Sequence, residues 1–142
     1  MQLGAAALRE ILRLYTAPGD AAVLKQVDGV RSVQLKGVVR RLPMPAYLLP
    51  GNHDSRAALH HQFPQLPAAG DFTQAAFDTP AGRFLLLDTV EAGAPWGSYC
   101  AGRQEWLARH LAAAGNQPLS IAMHHPPLAL GFPSMDQFAL RE

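Results

Sequence analysis

The stretch Ala46-Tyr47-Leu48-Leu49-Pro50-Gly51-Asn52-His53-Asp54 decides how the rest of the chain is read. A short apolar run stops at Pro-Gly, and three polar side chains follow it. A break of this kind predicts a buried strand over 46–49 that delivers polar groups at its C-terminal edge. Open α/β sheets place their ligands at that edge. The three residue types suit metal and proton chemistry: an Asn carbonyl is a neutral oxygen donor, a His ligates or transfers protons, and an Asp can hold a His ring through its N–H. Downstream, Arg56 to Phe63 predicts a short helix, closed by Pro64-Gln65-Leu66-Pro67.

The pattern recurs at Leu119-Ser120-Ile121-Ala122, which runs into Met123-His124-His125-Pro126-Pro127. Between the two motifs, Phe72 to Phe77 and Arg83 to Asp88 predict strands joined by a turn at Thr79-Pro80-Ala81-Gly82. Phe84-Leu85-Leu86-Leu87 is apolar without alternation, as in a strand covered on both faces. Gly102 to Ala114 predicts a helix with Trp106, Leu107, His110, Leu111 and Ala114 on one face, stopped by Gly115-Asn116. Upstream, Leu8, Ile11, Leu12 and Tyr15 have amphipathic-helix spacing. The tail from Leu128 is expected to be loop with one helical turn. Strands interleaved with helices make the expected class α/β.

Taken together, these residues resemble the calcineurin-like metallophosphoesterases. Leu-Pro-Gly-Asn-His-Asp, Trp106-Leu107 and His-His-Pro-Pro are most similar to the class III cyclic-nucleotide phosphodiesterases, the cyclic AMP type. The likeness is clearest over 38–142. It implies part of a four-layer α-β-β-α sandwich with mixed sheets, a single incomplete domain over 1–142, and metal-dependent hydrolysis of a small phosphodiester or cyclic nucleotide. Two divalent metal ions (Fe, Mn or Zn) are implied, whose role is to neutralise the phosphate and activate water. By position in the motifs, Asn52 and His124 correspond to metal ligands. His53 corresponds to the proton donor or transition-state contact beside the phosphate, Asp54 to its orienter, and His125 to a residue that shapes the pocket or reaches substrate.

The family's Asp-x-His and Gly-His-x-His motifs do not occur here. Gly19-Asp20 has about the spacing of the family's bridging carboxylate, which makes Asp20 a candidate ligand. Asn52 and His124 alone are a poor site for a hard cation, because neither is anionic. The expectation is a chain truncated at both ends, weak or inactive as a hydrolase, with exposed sheet edges that invite self-association. The alternative is a non-catalytic fragment, or a module that binds nucleotide or protein without turnover.

Other candidates have plainer readings. His60 and His61 are about 100° apart around a helix and do not form a ligand pair, so they are read as surface. His110 is read as packed beside Trp106, and Arg56 as solvated. With 142 residues, 49% hydrophobic and 16% charged, the chain has a globular composition. A formal charge of +1 provides no field for a nucleic acid polymer or an anionic membrane. Cys100 is the sole cysteine, which excludes an internal disulfide and suits a reducing cytoplasm. Neither a signal-peptide pattern nor an apolar run of membrane-spanning length is present.

Overall fold

A computed structural model describes residues 39, 41–43 and 45–141. The chain divides into two compact units, Met1–Tyr47 and Leu48–Glu142. In the first, the described residues include a turn in which the Leu42 amide donates to the Val39 carbonyl at 3.2 Å. The helix expected over Leu8–Tyr15 and the candidate ligand Asp20 lie outside the described residues.

The second unit contains α1 (Arg56–Gln62), β1 (Ala75–Thr79), β2 (Gly82–Leu87), β3 (Gly97–Ser98), α2 (Ala101–Ala114), β4 (Leu119–Met123), α3 (Pro133–Asp136) and β5 (Leu140–Arg141). A three-stranded sheet has the order β1-β2-β4, with β1 antiparallel and β4 parallel to β2. β3 and β5 form a separate parallel pair. The content is mixed α/β with a mixed sheet.

The hairpin is set by local chemistry. Thr79 pairs with Gly82 across the two-residue turn, and its hydroxyl donates to the Gly82 carbonyl at 3.0 Å while accepting from the Ala81 amide at 3.1 Å. Gly82 is obligatory: its φ is 123°, and a Cβ there would meet the Pro118 carbonyl oxygen at 2.3 Å. Directly opposed Phe77 and Phe84 stack with centroids 5.5 Å apart. The next pair, Asp78 and Arg83, makes a two-point contact at 2.8 and 2.9 Å. The hydrogen bonds from Arg83 hold the Asp78 carboxyl below its usual value. Since the folded value lies below the unfolded one, the pair's contribution is complete above the unfolded carboxylate range and disappears as pH falls through the folded value. Titration of the Asp78 side-chain carbonyl by NMR should give a midpoint below the ordinary aspartate value, and Arg83→Ala should move it upward.

From Leu85 to Val90 every residue is buried. Leu85 and Leu87 are 0% and 2% exposed, and the polar Asp88 and Thr89 that follow are 0% exposed. β2 is therefore the central strand, as its unbroken apolar run implies. α1 begins at Ser55, whose hydroxyl accepts from the Ala58 amide at 3.3 Å, and buries Leu59; the buried Phe63 closes it.

Three expectations are corrected. Among the described residues, 46–49 forms no strand: it pairs with no described strand, and strand structure requires a ladder partner. The strand expected over Phe72–Phe77 begins at Ala75, since Thr73 and Gln74 are drawn into buried polar contacts. In α2 the most buried members are Arg103 and Ala114, while Leu111 is exposed. The tail also contributes a strand, β5. On β4, Leu119 and Ile121 remain exposed, and this strand is an edge of the three-stranded sheet.

Candidate functional site

β2 and β4 run parallel with Leu87 opposite Met123, so their C-terminal ends deliver Asp88-Thr89 and His124-His125 side by side. Asn52 arrives from the loop before α1. Its Oδ1 lies 3.0 Å from His124 Nε2, across seventy-two residues of sequence. The two ligand candidates therefore converge. Gly51 permits this approach: a Cβ there would stand 3.0 to 3.1 Å from three atoms of the His124 ring.

Asp54 closes the same loop. Its Oδ2 accepts from the Gly51 amide at 2.8 Å, and its own amide donates to the Gly51 carbonyl at 2.9 Å. The carboxylate thus fixes the loop that presents Asn52 and His53, where the sequence reading had it hold the His53 ring. His53 is exposed next to Asn52.

His125 is 2% exposed, which places its ring in the interior where the sequence reading allowed a substrate contact. Its Nδ1 is 2.7 Å from Thr89 Oγ1, and its Nε2 is buried without a hydrogen-bond partner. Burial, with the neighbouring His124, holds its pKa below the ordinary imidazole value. The rings of His124 and His125 meet edge to face at 4.9 Å.

Beneath this edge is a charged cluster that the sequence reading missed. Asp88 accepts from Arg56 Nε at 2.6 Å and Arg56 Nη2 at 2.9 Å, and from the amides of Thr73 and Val90 at 2.9 and 3.0 Å. Buried Arg103 donates to the Asp88 carbonyl at 2.9 Å and to Ser98 Oγ at 2.8 Å. Both guanidinium groups lie over Phe72, at 5.1 and 4.5 Å from its centroid. Arg56 is therefore an anchor and not a solvated side chain, because the buried carboxylate needs a cation. One signal was available: Asp88 and Thr89 follow an apolar run, as the two motifs do. His60 likewise has a partner, Thr73 Oγ1 at 2.9 Å, while His61 is exposed. His110 packs against Trp106 at 4.1 Å, as expected.

Two donors each about 2.1 Å from one ion and at right angles lie about 3.0 Å apart. The separation of Asn52 Oδ1 and His124 Nε2 is that of a hydrogen bond between them, and it also suits one edge of an octahedral shell. Among the described residues, no group of three or more His, Cys, Asp or Glu side chains could hold a metal ion. The residues fit an edge of a metal site and do not by themselves make a complete one. No helix among the described residues is long and apolar enough to cross a membrane.

Comparison with known proteins gives two likenesses. A glycerophosphodiester phosphodiesterase of Enterobacter lignolyticus is 34% identical over 145 residues, covering 85% of this chain and 52% of that protein. A probable cyclic nucleotide phosphodiesterase of Rhodopseudomonas palustris is 36% identical over 110 residues, covering 75% of this chain and 40% of that one. The chain spans about half, or less, of the length of these relatives. Residues 1–52 match a different family model, described as type VI secretion system, TssF. A type VI secretion component, TssF1 of Pseudomonas aeruginosa, is 54% identical over 48 residues, 34% of this chain and 8% of that protein. The two likenesses overlap, since 85% of the chain and its first 52 residues together exceed its length.

Proposed function

We propose that this chain, which resembles the metallophosphoesterases in its two motifs and is similar to curated phosphodiesterases, carries one edge of a phosphodiester hydrolase site within a partial α-β-β-α sandwich. The observation that carries the reading is the 3.0 Å approach of Asn52 Oδ1 to His124 Nε2. Surface residues so distant in sequence have no local reason to meet, and both are donors that a divalent metal accepts. A bound divalent ion (Fe, Mn or Zn, two in the family's site) would supply neutralisation of the phosphate and activation of water. The chain's own contribution is narrower: Asn52 and His124 hold the phosphate-facing edge, His53 donates a proton or hydrogen bond toward a phosphate oxygen, and Asp54 keeps their loop closed. The substrate class is a small diester, either a 3′,5′-cyclic nucleotide or a glycerophosphodiester.

Both edge donors are neutral, so an ion held by them alone stays weakly bound. Without further carboxylate ligands the chain turns over slowly or not at all. The test is hydrolysis of bis(p-nitrophenyl) phosphate and cyclic AMP with added manganese, alongside NMR-detected zinc titration. Zinc should move the Asn52 and His124 resonances first, with the shifts abolished in Asn52→Ala and His124→Ala. Turnover that survives both substitutions, or zinc shifts centred elsewhere, would overturn the reading.

The match of residues 1–52 to a secretion component favours a second, complementary reading: the chain is composite, with a TssF-like stretch joined to phosphodiesterase-like sequence. The division of the structure between Tyr47 and Leu48 lies close to the end of that match. Amplifying the coding region across codons 30 to 70 from genomic DNA decides it. One uninterrupted product supports a composite gene, and two separate loci exclude it.

A further inference from the structure

We propose that His125 is a positioning residue: it fixes the plane of the His124 imidazole so that Nε2 stays directed at Asn52. This rests on the reading of Asn52 and His124 as paired donors, and the experiment below separates the two.

His125 is confined on several sides. Thr89 Oγ1 holds Nδ1 at 2.7 Å, and Thr89 is itself 0% exposed. Gly97 lies so close that a Cβ there would be 2.6 Å from His125 Cγ and 2.7 Å from Nδ1. Gly97 is fixed in turn by its pairing with Leu140, whose amide donates to the Pro126 carbonyl at 2.9 Å. A ring so held cannot rotate independently, and it meets His124 edge to face at 84°. The His124 ring also lies against Gly51, where a Cβ would stand 3.0 to 3.1 Å from three of its atoms. His124 thus meets both a glycine that admits it and a histidine that orients it.

A residue serving only to fill the core would not need an imidazole. His125 Nε2 is buried without a partner, which costs desolvation with no hydrogen bond in return. Phe or Leu would fill the volume without that cost. What the imidazole adds is a hydrogen bond to Thr89 that sets the ring's rotation, and through the edge contact the orientation of His124. The side chains that hold a metal-binding histidine in its orientation shape affinity in this way.

The test uses the full chain with its histidines labelled with nitrogen-15, and zinc as the probe. In the metal-free wild type, His124 should show one tautomer, protonated at Nε2 toward Asn52 Oδ1, and zinc should displace that proton as it binds. Thr89→Val removes the hydrogen bond with little change in volume, and His125→Phe removes the imidazole. Both should give averaged His124 nitrogen shifts and a fall of about 10- to 100-fold in zinc affinity. His125→Asn, which keeps a polar atom near the Nδ1 position, should restore part of the His124 signature. Unchanged His124 shifts in a folded Thr89→Val protein would overturn the proposal, and this variant carries the test if His125→Phe does not fold. A tautomer fixed in the wild type and lost in Thr89→Val, with no zinc binding in either, would uphold the positioning role while removing the metal reading.

Discussion

Replacing Asp88 with alanine is expected to lower the stability of the Leu48–Glu142 unit by about 3–5 kcal/mol, the range seen when one member of a buried ion pair is removed. The carboxylate is 0% exposed and receives four hydrogen bonds, two from Arg56 and one each from the Thr73 and Val90 amides. Alanine would strand both amides in the interior, and each unsatisfied buried donor costs about 1–3 kcal/mol. Arg56 is better placed to recover, since its side chain is 22% exposed and can turn toward water. Arg103 is not directly stranded, because it bonds the Asp88 carbonyl and not the carboxylate. The loss should therefore exceed that of Arg56→Ala, and the double variant should fall short of the sum, because both changes break the same contacts. Asp88→Asn keeps the shape and one acceptor oxygen, and should lie between wild type and Asp88→Ala. Urea unfolding followed by tryptophan fluorescence measures all four. A loss below about 1 kcal/mol for Asp88→Ala would mean that water or a rearranged side chain takes over the carboxylate's partners.

The same cluster shows where sequence reasoning stops. β2, β4, α2 and the Thr79–Gly82 turn were legible because their signals are local: an apolar run, a stop signal, turn residues at fixed offsets. Asn52 and His124 were legible as candidates because both follow apolar runs. Their convergence rested on the resemblance, since nothing local connects positions seventy-two residues apart. Asp88 carried the same apolar-run signal, but its pairing with Arg56 and Arg103 was not legible. Charged residues are exposed by default, and their pairing spans separations of 32 and 15 residues. β3 and β5 have two residues each, too short to display a period. The strand expected over 46–49 failed for the converse reason: its composition is right, but strand structure belongs to a pair, and composition cannot supply the neighbour.

Gly97 turns this dependence of the site on its surroundings into a second expected large effect. A Cβ at this position would stand 2.6 and 2.7 Å from His125 Cγ and Nδ1, and 2.7 Å from Leu140 Cδ2. Such distances cannot be relieved by one flexible tip. The His125 ring is held by Thr89, whereas the strand pairing and the hydrogen bond to Pro126 hold only the backbone of Leu140, whose Cδ2 is a side-chain tip that can turn aside. Gly97→Ala must therefore displace β3 from β5, break the Thr89 contact, or both. Overpacking of a closely packed site costs about 1–3 kcal/mol, and here the loss should sit near the upper end because two atoms of the Thr89-held His125 ring obstruct the same carbon. The stability loss should be accompanied by faster amide exchange at Ser98 and Leu140 and by averaging of the His124 nitrogen shifts. Gly102→Ala is the matched control: it lies at the start of α2 with open space where its Cβ would go, so the same methyl should leave the His124 shifts unchanged and should not lower stability. If Gly97→Ala costs stability while the His124 shifts stay fixed, β3 supports the fold without reaching the histidine pair. Movement of both together would show that strand, buried ring and exposed ring behave as one mechanical unit.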